Sequence, residues 1–338
     1  MAQATDETQP RGTPGGAARR LLVVSPCRNE AAFARRTLDS VVAQTRRPDR
    51  WILVDDGSTD GTAELLADYA ARHDWIEVIR KPDRGHRAVG PGVVEAFYAG
   101  LDRVDPGTFE HVAKLDLDLD LPPRYFEVLL ARLAAEPRLG TCSGKPYWRP
   151  GGPDSGQPLV SERRGDEMSV GMTKIWRTAC FRDIGGIVQA VMWDAIDCHK
   201  ARMLGWTARS WDEPELRFEH LRPMGSSQTG ILTGRRRHGE GQWYMGSDPL
   251  FYAATCAFRM AEPPYVIGGL WMLWGYARGW LTGRPRHDDP DLVAFVRAYQ
   301  RRALFRGKTR AVAEIEAERA ALFAERHGAA PASPEAVT

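Results

Sequence analysis

The residues best suited to chemistry are carboxylates that recur at short spacing. In KLDLDLDLPP, residues 114–123, Asp116, Asp118 and Asp120 alternate with leucine. Side chains of an extended chain repeat every two residues, so the three acids share one face. Like charges at that spacing repel. A divalent cation is the simplest compensation, and hard oxygen ligands suit Mg2+ or Mn2+. The same alternation also describes an exposed acidic edge strand that wards off aggregation. A second cluster is ILVDDGSTDGT, residues 52–62, in which Asp55 and Asp56 close an apolar run. Carboxylates there can accept N–H bonds from a uracil or guanine edge, or cap the next helix from a tight Asp-Gly turn. A third polar segment, VVSPCRNE at residues 23–30, closes the first apolar run.

The elements that must position these segments alternate in type. Apolar runs at residues 21–24, 51–54, 76–79 and 111–115 read as strands. Helical spacing follows at 31–44, with Asn29 as its cap, at 63–72 and at 93–101. This alternation predicts an α/β fold with a mainly parallel sheet flanked by helices. Ligands in such sheets bind at the carboxyl ends of strands, so the polar segments should meet at one rim. Residues 146–164, rich in Gly, Pro and Arg, read as a mobile loop, and residues 225–238 as another loop. Residues 311–326 read as a helix. The expected division is a disordered tail at 1–19, a catalytic domain at 20–225, a C-terminal extension at 226–310 and a helix with a tail at 311–338.

The 338 residues are 43% hydrophobic, enough for a sizeable core, and 27% charged. A net charge of +2 is too small for a phosphate-tracking surface, so nucleic acid is not an expected partner. The five cysteines include no C-x-x-C pair. A disulfide framework or zinc site is therefore not expected, and a reducing cytoplasm fits. The first twenty residues lack the apolar core of a signal peptide.

The three polar segments, in this order, resemble the family 2 glycosyltransferases of the GT-A fold. The likeness continues through GMTKIWRTACFRDIGG at 171–186, WDAID at 193–197, KARMLGW at 200–206 and HLRPMG at 220–225. It is similar to a bacterial branch in which Trp-Asp stands where other members carry Glu-Asp. The resemblance implies a transfer of sugar from a nucleotide-sugar donor to an acceptor hydroxyl, with inversion. It implies that Pro26 and Glu30 line the nucleotide pocket, that Asp56 reads the base with Asp55 as its near alternative, and that Asp116 faces the ribose. Asp118 would hold the Mg2+ or Mn2+, with Asp116 beside it and His220 as a late metal ligand; a histidine bonded into the structure is the other reading of His220. Asp194 takes the place of the catalytic base, with Asp197 one turn on. Trp193 either stacks on a sugar or fills the core. Arg84, Arg87 and Lys114 are basic groups in or beside the rim, and Lys114 is assigned to the donor site. One departure is DRGHRAVGPGVVEAF at 83–97, where many members carry a Gly- and Asn-rich stretch.

Two other functions suit parts of this pattern. A nucleotidyltransferase needs a Gly-rich basic loop near the first strand, and the Gly-rich residues 11–20 lie before it. A non-catalytic nucleotide-sugar-binding protein needs neither Asp118 nor Asp194, and both are present. Residues 263–286 hold an apolar run too short for the ~20 residues of a membrane-spanning helix. Its Trp and Tyr content with trailing arginines suits an amphipathic interfacial segment; a buried helix or dimer contact is the alternative. Together these features predict a cytoplasmic enzyme of envelope polysaccharide or glycolipid synthesis, peripheral on the inner membrane face, with a lipid-linked acceptor.

Overall fold

The computed structural model describes residues 20–86, 90–222 and 230–328. The tails at 1–19 and 329–338, and Arg87, lie outside the described residues. The first half alternates β1 (Leu21–Cys27), α1 (Ala34–Val42), β2 (Arg50–Asp55), α2 (Thr62–Arg72), β3 (Ile76–Arg80), α3 (Pro91–Leu101) and β4 (His111–Leu115). Then come β5 (Leu119–Asp120), α4 (Tyr125–Ala135), β6 (Leu139–Ser143), β7 (Lys145–Trp148), β8 (Val160–Ser161) and β9 (Thr173–Arg177). α5 (Thr178–Asp183), α6 (Trp193–Met203), β10 (Thr207–Ser210) and β11 (Arg217–His220) follow. The rest is helical: α7 (Ile231–Met245), α8 (Pro249–Arg259), α9 (Ile267–Leu281), α10 (Pro290–Arg306), α11 (Lys308–Glu318) and α12 (Ala320–His327).

The main sheet has the order β10-β6-β9-β4-β1-β2-β3, parallel except for β9. All seven residues of β1 are buried, as a central strand covered on both faces requires. Alternate residues feed two cores. Leu21 and Val23 pack with α1, α2 and α4, and Leu22 and Val24 with α3 and α5. Gly100 lets α3 lie flat on the sheet, because a Cβ there would fall 2.6 Å from Val24 and 2.8 Å from Val54. A second sheet, β5-β11-β7-β8, stands beside the first. The chain changes sheets at Gly144, where a Cβ would meet the Leu216 carbonyl at 1.9 Å.

Three local expectations need correction. The stretch read as a loop at 225–238 runs into helix α7 from Ile231 onward; residues 223–229 lie outside the described residues. That helix packs through Gly239, where a Cβ would lie 2.0 Å from the Met272 carbonyl. Backbone contact replaces the apolar stripe that periodicity would reveal. The loop at 146–164 carries ordered pairing at both ends, with Tyr147 opposite Ser161 and Trp148 opposite Val160. Asn29 does not cap α1, whose first turn follows Phe33. Its side-chain oxygen instead accepts from the Thr59 N–H at 2.8 Å, across to the second motif.

The C-terminal helices return to the first half. Glu316 of α11 accepts from Arg202 of α6 at 3.1 Å and from Arg209 of β10 at 2.6 Å. Among the described residues no helix is long and apolar enough to cross a membrane.

Candidate active site

Register brings the first two motifs together, since Cys27 pairs with Asp55 across β1 and β2. Beyond the strand ends, the Asn29 N–H donates to Ser58 Oγ at 2.9 Å and the Glu30 N–H to Thr62 Oγ1 at 2.8 Å. The adjacent acids divide two tasks. Asp55 is fully buried and its Oδ1 accepts the Ser58 N–H at 2.8 Å, which fixes the Asp-Gly turn. Asp56 faces the cavity and holds Arg84 at 2.7 Å and Lys81 at 3.1 Å.

Strand β4 sits beside β1, with Val24 opposite Lys114, and delivers Asp116 and Asp118 to the same cavity. The strand ends at Leu115, so the acids do not form a continuous extended triplet. Asp120 turns away into the second sheet, opposite Glu219. The intervening Leu117, Leu119 and Leu121 are buried, which removes the exposed-edge reading. Asp116 is bridged by Lys114. Crowding by protein raises its pKa, and the Lys114 charge offsets part of that.

Asp118 is paired with two cationic side chains from the HLR segment. Arg222 Nε lies 2.6 Å from its Oδ2, and His220 Nε2 lies 3.5 Å from the same oxygen. Burial pushes this carboxyl up, but His220, Arg222 and Lys114 together hold it well below the usual carboxylate range. The other nitrogen of His220 faces Glu162 at 3.2 Å. Burial pulls His220 down, yet hydrogen bonds to Asp118 and Glu162 push its pKa up to about 9. Arg222 also donates to Glu30 Oε1 at 2.7 Å, which ties the late HLR segment to the first motif. Among the described residues no group of three or more His, Cys, Asp or Glu side chains stands ready to hold a metal. Asp118 and His220 nonetheless converge from adjoining elements, and a carboxylate with an imidazole is a donor pair that Mn2+ accepts.

Helix α6 also contributes to the cavity lining. Met192 enters it with φ of 72°, an unfavourable region for a long side chain that is found where a site constrains the backbone. Trp193 and Asp194 follow and line the cavity. Gly171 makes room, since a Cβ there would fall 2.9 Å from the Asp194 Cβ. Trp193 lies 6.1 Å from Trp176 in the core and also lines the cavity. Asp197 sits differently. It is 2% exposed, and its oxygens accept from Lys174 Nζ at 2.6 and 2.9 Å and from Trp176 Nε1 at 2.8 Å. Lys174 also donates to the Asp194 carbonyl at 2.7 Å. Burial lowers the Lys174 pKa, but the Asp197 charge outweighs it and keeps the ammonium protonated.

Pro26, Glu30, Asp56, Lys114, Asp116, Asp118, Asp194 and His220 thus line one cavity of about 590 Å3, whereas Asp55 and Asp197 stand behind its wall. Arg222, Glu162, Lys174 and Gly171 complete the site and were not singled out by the sequence. The HLR triplet was the available signal for Arg222. Glu162 lies in a stretch whose composition suggests only a loop.

A parallel sheet with one reversed strand, a second small sheet, and an acidic strand-end rim is the GT-A arrangement. Residues 22–168 match the model of the family described as Glycosyl transferase family 2. Among curated proteins, the poly-beta-1,6-N-acetyl-D-glucosamine synthase of Staphylococcus epidermidis strain RP62A is 29% identical over 124 residues. The synthase of the same name from Staphylococcus aureus strain COL is 30% identical over 124 residues. Each match covers 36% of this chain and 27% of the relative, so little more than a quarter of those proteins is represented. Among solved structures, the mannosyltransferase PcManGT from Pyrobaculum calidifontis, in complex with GDP-Man and Mn2+, has a TM-score of 0.48 at 17% identity, covering 90% of this chain and 85% of that one. S. aureus TarS 1–349 in complex with UDP-GlcNAc has a TM-score of 0.47 at 13% identity, covering 91% and 92%.

Proposed function

We propose that the chain is an inverting, metal-dependent glycosyltransferase. It moves a sugar from a nucleoside diphosphate donor to an acceptor hydroxyl in envelope polysaccharide or glycolipid synthesis. The observation that carries this reading is one cavity lined by the strand-end acids Asp56, Asp116 and Asp118 together with Asp194 of α6.

Asp56 receives the N–H groups of the base, Asp116 the ribose hydroxyls, and Pro26 and Glu30 close the nucleotide pocket. Asp118 and His220 hold Mg2+ or Mn2+, which when bound supplies Lewis-acid neutralisation of the leaving diphosphate. Lys114 and Arg222 add fixed positive charge beside it. Asp194 takes the proton from the acceptor hydroxyl. The acceptor oxygen bonds the anomeric carbon as the carbon–oxygen bond to the diphosphate breaks, and the diphosphate leaves with the electron pair. Asp197 acts as a positioning residue: through Lys174 it holds the first turn of α6, from which Asp194 projects.

The reading places the enzyme on the cytoplasmic membrane face, beside a lipid-linked acceptor. Its support is the exposure of Trp271 (40%), Trp274 (47%) and Trp280 (67%) on α9, with Phe258 of α8 nearby in sequence and equally bare. The opposite face of α9, Gly268, Gly269, Gly275 and Gly279, is buried.

A thermal-shift screen of UDP-, GDP- and dTDP-sugars with and without Mn2+ tests the proposal. Stabilisation by one nucleotide sugar, larger with Mn2+, is expected, together with release of its nucleoside diphosphate on turnover. Pyrophosphate release from a nucleoside triphosphate would instead mark a nucleotidyltransferase.

A further inference from the structure

The cavity that holds Asp194 is also lined by His199 of α6, Gln242 of α7, Phe251 of α8, and Tyr299 and Gln300 of α10. Ala195 and His199 both line it, and their spacing places them on one face of α6. From Asp194 to His199 the helix rises about 7.5 Å, a separation that one sugar ring can bridge.

The polar groups here are buried yet not fully bonded. His199 is 4% exposed, and its Nδ1 is sealed from solvent with no hydrogen-bond partner. Its ring lies 5.1 Å from that of Tyr299, whose hydroxyl has no partner among the described residues. Gln242 is held by a relay. Its Oε1 accepts from Ser247 Oγ at 2.5 Å, Ser247 Oγ accepts from Gln300 Nε2 at 3.1 Å, and Gln300 Oε1 accepts the Asp248 N–H at 2.7 Å. The relay engages the Gln242 oxygen and leaves its amide nitrogen without a partner among the described residues. Charge nearby is already matched: Glu167 lies 3.6 Å from Lys308, and Arg202 donates to Glu316 at 3.1 Å. Burial, with the charges of Arg202, Lys174 and Lys308, pulls His199 down to about 3, so its ring is neutral at physiological pH. Unpaired buried polar groups cost free energy. A ligand that completes these neutral groups carries hydroxyls rather than charge.

We propose that His199, Gln242 and Tyr299 form the subsite for a neutral sugar ring of the acceptor, hydrogen-bonding its hydroxyls while another hydroxyl of the same ring faces Asp194. The proposal rests on the glycosyltransferase reading for the word acceptor, and on the unpaired groups for the sugar. The two aromatic rings at hand, Phe251 and Tyr299, offer apolar faces to the C–H side of such a ring, as pockets with a few placed polar groups do.

The full chain, with and without nucleoside diphosphate, is titrated with the methyl glycosides of glucose, galactose, mannose and N-acetylglucosamine, and binding is read by saturation-transfer NMR. At least one glycoside should bind, and glucose 6-phosphate should bind no tighter than methyl glucoside. Tyr299→Phe deletes only an unpaired hydroxyl. It should weaken the bound glycoside about three- to tenfold, as loss of a neutral hydrogen bond does, and leave the melting temperature unchanged. His199→Phe keeps an aromatic ring and removes the unpaired nitrogen; it should weaken the same glycoside by a similar factor. A histidine with a purely structural role would instead lower the melting temperature and leave glycoside affinity intact. No glycoside binding, undiminished affinity in both variants, a clear preference for glucose 6-phosphate, or binding of farnesol in place of any glycoside overturns the proposal. A chain that binds a glycoside but no nucleotide sugar defeats the glycosyltransferase reading and leaves the sugar subsite standing, so the two failures are distinct.

Discussion

The Nε of Arg222 lies 2.6 Å from Oδ2 of Asp118, the oxygen that also faces His220. A cation is thus already beside the carboxylate proposed to hold the metal. It offsets the charge that the acidic rim would otherwise concentrate there.

Asp118→Ala should therefore leave a folded protein whose nucleotide affinity no longer responds to Mn2+. Wild type should bind the donor at least tenfold more weakly in excess chelator. Calorimetry with and without Mn2+ reads both quantities. Equal wild-type affinity in chelator would contradict the metal-dependent site.

Asp194→Asn should preserve donor affinity and slow transfer by about 10²–10⁴-fold, the usual contribution of a general base. Asp197→Asn should behave differently. It leaves the Lys174 ammonium buried without its counter-charge, a change that typically costs about 3–5 kcal/mol. Urea unfolding should show that loss in the Asp197 variant and little change in the Asp194 variant. Wild-type turnover by Asp194→Asn removes it as the base.

The Glu316 clamp should make stability acid-sensitive. Burial raises the Glu316 carboxyl, but hydrogen bonds and charge from Arg209 and Arg202 lower it below its unfolded value of 4.5. A depressed folded pKa means the native state favours the ionised form. The contribution is fully present above pH ~4.5 and is lost as pH falls through the folded value. The melting temperature of Glu316→Gln should be lower than wild type at neutral pH, and the gap should narrow on acidification. A constant gap down to pH 3 would exclude this ionisation as the cause.

Much of the site was legible because its signals are local. Apolar runs ending in Asp55–Asp56 and Asp116–Asp118 name their strands and their rim together, and parallel register does the rest. The division of labour between adjacent acids was not legible, because it depends on which carboxylate meets the Ser58 N–H. Asp120 was misplaced because alternation in sequence does not reveal where a strand stops. Helix α7 was missed because its contacts run through Gly239 and Gly241, where there is no side chain to carry a pattern. Glu162 reaches His220 from 58 residues away, a pairing that composition cannot express.

Anionic liposomes should carry the wild-type chain upward in a flotation gradient, with binding reduced by salt. Changing Trp271, Trp274 and Trp280 to Ser should abolish flotation while leaving the melting temperature within a few degrees, because these rings are exposed rather than packed. Wild type remaining at the bottom at low salt would point to a soluble acceptor.

The return of the last helices onto α6 also orders events in time. Val296 of α10 packs with Ile196, and Glu316 meets Arg202 from 114 residues further along the chain. At ribosomal speeds of about 5–20 residues per second, that interval is roughly 6 to 23 s. During it the helix that bears Asp194 has left the ribosome without its outer cover. Strands β1, β2 and β4, with the rim acids Asp56, Asp116 and Asp118, precede α6 in the chain, whereas His220 and Arg222 follow it. The outer cover of the wall that carries Asp194 is therefore the last of these parts to be synthesised.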